Sequence, residues 1–158
     1  MKKKIMLGLL GCLLAALLCG CSAKPAAKLP AAQELADQVL KSQTYSEEMF
    51  QVSETRASTL LDVEEEDYKE LVMIMDASRT TSEVIAVLTA PDSAKADQAE
   101  QRMKDYLASL KEQYEDYRPE EIPKLEAAAV QRRDTQVVLV VAPDQPAARQ
   151  AVQKAWGN

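Results

Sequence analysis

Gln136-Val137-Val138-Leu139-Val140-Val141-Ala142 decides the fold. Its core is five consecutive Val and Leu residues, four of them β-branched. The run is too short for a helix, and Arg132-Arg133-Asp134 before it and Pro143-Asp144 after it are breaking signals. An apolar run of this length fits a central strand buried on both faces. Pro143-Asp144-Gln145-Pro146 then opens a helix that turns Ala148, Val152, Ala155 and Trp156 toward the core.

Upstream, Glu83 to Ala90 (EVIAVLTA) is a second β-branched strand. Glu70 to Ala77 (ELVMIMDA) is a third, and the polar residues Ser78-Arg79-Thr80-Thr81 between them suit a hairpin connection. Pro91 ends the second strand. From Ser93 to Tyr117, the residues Ala96, Ala99, Met103, Leu107, Leu110, Tyr114 and Tyr117 recur every three or four positions, which predicts a long amphipathic helix. Pro119 stops it, and Pro119-Glu120-Glu121-Ile122 suits one more short turn. Leu125 to Gln131 completes a set of four strands, although Ala127-Ala128-Ala129 would equally prolong a helix, and Arg132-Arg133-Asp134 turns the chain. Nearer the start, Gln33 to Ser42 has helical spacing. Met49 to Val52 suits a short strand outside that set, and Thr55 to Leu61 a helical turn.

The expected fold class is α+β, a four-stranded and mainly antiparallel sheet with helices packed on it. Ala90-Pro91-Asp92 recurs as Ala142-Pro143-Asp144, each time between a strand and a helix. The recurrence reads either as a tandem strand-strand-helix duplication or as two uses of a favourable strand-to-helix turn.

The first 21 residues carry an address. Lys2-Lys3-Lys4 precede an apolar run from Ile5 to Leu18, which is too short to span a bilayer needing about 20 residues. Leu18-Cys19-Gly20-Cys21 resembles the lipobox of bacterial lipoproteins. That resemblance implies cleavage before Cys21, a diacylglycerol on its thiol, and a cell-membrane location on the extracytoplasmic face. The expected organisation is therefore a signal peptide over 1–20, a lipidated cysteine and Pro/Ala-rich linker over 21–32, and one globular domain over 33–158. Two acyl chains suffice for stable anchoring.

Cleavage alters the chemistry. Cys12 and Cys19 leave with the signal and Cys21 becomes a thioether, so no thiol remains for a nucleophile, a disulfide or a thiolate metal site. Three of the 19 lysines and arginines leave against 25 acids, moving the net charge from −6 to −9. An acidic domain with no basic stripe is a poor nucleic-acid binder. Histidine is absent throughout, which excludes His-dependent triads and His metal ligands. Gly157 is the one glycine beyond the signal, so phosphate-cradling glycine loops are excluded as well. No cofactor or metal is expected.

What remains is carboxylate, lysine, serine and tyrosine chemistry. Asp62, Glu64, Glu65, Glu66 and Asp67 read as a solvated charged connection rather than a calcium loop, since no glycine supplies the turn. Glu120 and Glu121 are adjacent and so would not face each other as an acid/base pair; helix-start capping explains them better. Lys41-Ser42, or Ser109 with Lys111, leave a Ser-Lys hydrolase formally open. Tyr106, Tyr114, Tyr117 and Arg118 crowd the end of the long helix and form a candidate interaction patch, or else Tyr114 and Tyr117 finish its core stripe with their hydroxyls reaching water.

The order Asp62 to Met75, Ser82 to Val87, Tyr117-Arg118-Pro119-Glu120-Glu121 and Val137 to Val141 resembles a family of small bacterial lipoproteins catalogued as a domain of unknown function. It covers residues 33–156 and brings no known activity. The expected function is a non-catalytic interaction or binding module at the cell surface, with a protein partner in the envelope. The alternatives are a weak carboxylate- or Ser-Lys-dependent hydrolase and a small solute-binding accessory protein. Oligomeric state is not readable from the chain.

Overall fold

The computed structural model describes residues 28–76 and 78–157. Cys21 and the signal lie outside the described residues. Five strands form one antiparallel sheet: β1 (Met49–Gln51), β2 (Glu70–Asp76), β3 (Val84–Thr89), β4 (Ala129–Arg133) and β5 (Gln136–Val141), in the spatial order β1-β2-β3-β5-β4. The expected four strands are therefore five. Met49–Gln51 joins as an edge strand on β2, with Phe50 opposite Met75. Three residues carry too little alternation to be distinguished from an extended loop.

β5 is central, as its composition demands. Val137, Leu139 and Val141 enter the core on one face, while Val138 and Val140 enter a second core on the other. The first core is closed by α2 (Glu54–Leu61), α3 (Ser93–Tyr117) and α4 (Ile122–Ala127). Over the second lie α1 (Ala32–Leu40) and α5 (Gln145–Ala155). Strands with no solvated face are what a sheet between two helical layers requires.

α3 has its expected bounds, and Asp92 caps it by accepting the Lys95 N–H at 2.9 Å. Its buried stripe differs at one end: Tyr106 is inside, while Tyr117 is 74% exposed. The buried stripe ends at Tyr114, one turn before the helix does. Residues 125–131 resolve into α4 and then β4. Arg132 and Arg133 belong to the strand, and the turn to β5 is Asp134-Thr135, with Asp134 at φ 52°. Asp tolerates the left-handed region that a two-residue hairpin needs.

Both strand-strand-helix units exist, β2-β3-α3 and β4-β5-α5. They send their helices to opposite faces, so Ala90 sits in the first core and Ala142 in the second. The likeness of the two units is one of element order.

The folded unit begins before Gln33. Leu29 packs on the second core and Ala32 is buried. The carbonyl of Pro30 accepts from Gln136 Nε2 at 2.9 Å, and the N–H of Ala32 donates to Glu70 at 3.0 Å. Gln136 is fully buried yet satisfied, since its Oε1 accepts from the Trp156 indole at 2.8 Å and its Nε2 also reaches Thr89 at 3.1 Å. The last residues of the expected 21–32 linker are thereby fixed to the end of the sheet defined by Glu70, Thr89, Gln136 and Arg133.

Candidate functional site

The opposite end of the sheet carries a concentration of buried polar groups. Asp76, at the end of β2, is buried and organises the connection to β3. Its Oδ1 accepts from the Ser78 N–H (2.8 Å) and hydroxyl (2.6 Å), and its Oδ2 from the Thr81 N–H (2.8 Å) and hydroxyl (3.2 Å). Burial opposes ionisation, but these four donors outweigh it and hold the carboxyl below its ordinary range. Arg79, at φ 57°, supplies the left-handed step of the connection. The Tyr114 hydroxyl donates to the carbonyls of Arg79 (3.1 Å) and Thr81, clamping the loop to α3. Burial pushes the Tyr114 phenol up to about 12.

Two further carboxylates share one ammonium. Glu83 is 1% exposed and accepts from the Ser46 N–H (2.8 Å), the Ser46 hydroxyl, and Lys124 Nζ (2.8 Å). Glu121 accepts from the Ser82 N–H (2.9 Å), the Ser82 hydroxyl (2.8 Å) and the same Nζ (2.9 Å). For Glu121, burial works against the charge, but Ser82 and Lys124 prevail and the carboxyl is lowered. For Lys124, burial also works against the charge, but Glu83 and Glu121 prevail and the ammonium is raised. The triad ties the loop before β1, the start of β3 and α4 into one cap.

Both oxygens of Asp76 and of Glu83 accept from internal donors, as does Oε2 of Glu121, and Lys124 and Glu121 are both held charged through neutrality. A network of this kind rigidifies the chain segments it joins. Beside it, the Tyr45 phenol is pushed up by burial and then by the Glu83 charge.

The sequence-derived residues fall elsewhere. Tyr106 and Tyr114 are inside the first core, and Arg118 Nε donates to Glu120 at 2.8 Å. Of the four patch residues, Tyr117 and Arg118 remain at the surface, because residues 106, 110 and 114 repeat on the inward face of α3. Glu120 and Glu121 diverge, as expected for neighbours, but Glu121 is a buried bridge to Ser82 and Lys124 rather than a cap. The Ser42 hydroxyl, in the turn after α1, donates to the Val39 carbonyl (2.7 Å), and the Ser109 hydroxyl, within α3, to that of Tyr106 (2.8 Å), so each bonds to backbone three residues before it. Asp62 ends α2 at φ 52° and pairs with Arg102, while Asp67 pairs with Lys95. Ser46, Asp76, Glu83 and Lys124 were not singled out by sequence. The available signals were an acid at the head of an apolar strand and an Asp-x-Ser-x-x-Thr turn.

These features define a small three-layer α+β domain on an antiparallel sheet, with a hydrogen-bonded polar cap at one end. The chain belongs to the family described as a domain of unknown function (DUF4358), whose profile matches residues 41–142. The matched segment holds the five strands and the first core, whereas α1 and α5, the layer over the second core, lie outside it. The match agrees with the resemblance to an uncharacterised family and carries no information on a lipid anchor. No curated protein and no solved structure shows significant similarity to the chain.

Proposed function

We propose that the protein is a bacterial lipoprotein, anchored through diacylglycerol on Cys21 to the extracytoplasmic face of the cell membrane, where its domain is a non-catalytic interaction module. The observation that carries this reading is Leu18-Cys19-Gly20-Cys21, placed directly after a basic start and an apolar run. A folded domain that begins by Leu29 supports it, because the anchor and the domain are then separate units joined by a few residues. The non-catalytic part is supported by the polar cap, where Asp76, Glu83 and Glu121 are each committed to internal donors. A surface role is supported by Tyr117 and Arg118 at the tip of α3.

Fractionation of cells expressing wild type and Cys21→Ser tests the anchor. Wild type is expected in the membrane fraction, and the variant released from it; a variant retained in the membrane would refute the lipid anchor. Crosslinking on intact envelopes tests the module. A defined protein adduct through a probe at position 117 is the expected result, and absence of any adduct counts against an envelope partner.

A further inference from the structure

The geometry points to a binding site for a phosphate dianion, free or carried as the monoester of a solute, where α2, α3 and the β2–β3 connection meet, with Arg56, Arg79 and Tyr106 as its donors. The site goes beyond the interaction-module reading and does not depend on the anchor at Cys21.

Its first support is an orphaned hydroxyl. Tyr106, on α3, is 6% exposed, and its hydroxyl has no hydrogen-bond partner among the described residues. Buried polar groups are almost always paired, so an unpaired one points to an acceptor from outside. Burial pushes this phenol up, so it stays protonated at neutral pH and can donate. The charges that act on it are those of Arg79 and Arg56. The Tyr45 hydroxyl is also buried and unpaired, but the charge acting there is that of Glu83, which would repel an anion.

The second support is what the two arginines lack. Lys95, Arg102, Lys104, Arg118, Lys124 and Arg132 each sit on a carboxylate. Arg56 and Arg79 form no ion pair among the described residues, although the chain carries 25 acids. Asp76, near Arg79 in sequence, is held by Ser78 and Thr81 instead.

The fold brings the arginines to one side of α3. Helix α2 runs against α3: Asp62, at the end of α2, pairs with Arg102, so Arg56, nearly two turns earlier, lies beside the following turns of α3. Arg79 reaches the same helix from the β2–β3 connection. Its carbonyl accepts from Tyr114 (3.1 Å) and its guanidinium donates to Gln113 (3.2 Å). Residues 106, 113 and 114 share a face, being seven and eight positions apart. An open groove lined by Ser53, Thr55, Arg56, Thr59 and Leu60 adjoins Arg56 and gives the body of a ligand room.

The donors set the ligand class. Guanidinium forks suit the oxygens of a phosphate, and a phenolic O–H adds a third kind of contact. The two arginines bring two positive charges, which a phosphate dianion balances and a carboxylate or a phosphodiester does not.

The test uses the full chain purified from cells in neutral detergent, and reads the heat of binding and the thermal midpoint. The probes are inorganic phosphate, glycerol phosphate, the phosphodiester glycerophosphoglycerol and acetate. Expected is a dissociation constant below about 1 mM for inorganic phosphate or glycerol phosphate, the tighter of the two identifying the source as free ion or monoester. Arg56→Gln and Arg79→Gln should each weaken it at least tenfold; both positions are exposed, so the core is not disturbed. Lys41→Gln, at another exposed cation, should leave it unchanged. Tyr106→Phe keeps the ring and removes the orphaned hydroxyl. Its midpoint without ligand should equal or exceed that of wild type, and phosphate should raise it less. No binding of either phosphate probe at millimolar concentration, equal binding of acetate or the diester, or undiminished affinity in both arginine variants would overturn the site.

Discussion

Replacing Lys124 by Met is the sharpest probe of the polar cap. The ammonium lies 2.8 Å from Glu83 and 2.9 Å from Glu121, whose side chains are 0% and 8% exposed. Met fills the space of the alkyl stem, so the change removes charge and hydrogen bonds with little loss of packing. Removing one partner of a buried pair costs roughly 3–5 kcal/mol; the retained Ser46 and Ser82 donors place the expected loss at the lower bound, about 3 kcal/mol at pH 7. The pH dependence gives the sign. Glu121 is lowered in the folded state, so its contribution is present above the unfolded carboxylate range near ~4.3 and is lost as pH falls through the folded value. Lys124 is raised, so its contribution is present below ~10.4 and is lost as pH rises through the folded value. In Lys124→Met the buried Glu121 lacks its counter-charge, and protonation relieves it. The deficit against wild type should therefore shrink between pH 7 and pH 3.5. Urea denaturation of residues 28–158 at several pH values measures it, and adding Glu83→Gln should recover part of the loss. A deficit under about 1 kcal/mol at pH 7, or one independent of pH, would refute the description of the cap.

Leu139→Ala, in the middle of β5 against α3, should cost about 3–4 kcal/mol and lower the denaturation midpoint without changing its slope. Gln136→Ala leaves the Trp156 indole and the Pro30 carbonyl without their partner, costs about 2–3 kcal/mol, and should shift Trp156 fluorescence to the red as water enters. Tyr114→Phe frees the β2–β3 loop, so amide exchange should rise at Thr80 to Ser82; in wild type the Tyr114 phenol should stay neutral until about pH 12 by ultraviolet titration.

Much of the scaffold was legible because its signals are long and repeated. The five Val/Leu residues of β5 and the 25-residue stripe of α3 each fix an element from local pattern alone. Elements without a period escaped. Met49–Gln51 is too short for alternation to register, and Ala127-Ala128-Ala129 fits helix and strand equally, so the α4–β4 boundary followed from packing rather than propensity. The polar cap was illegible for another reason. Glu83 and Lys124 are 41 positions apart, and Ser46 lies 37 before Glu83, so only the topology brings them together. The aromatic residues misled through register: Tyr106 and Tyr117 sit on one helix, yet α3 buries the first and exposes the second.

The lipid anchor at Cys21 is tested most directly by intact-mass measurement of the native polypeptide extracted from membranes of its own cell. The expected species begins at Cys21 and carries the mass of a diacylglycerol, and Cys21→Ser abolishes it. A chain that keeps Met1, or one that starts elsewhere with no added lipid and is found in the cytoplasm, would contradict the proposal.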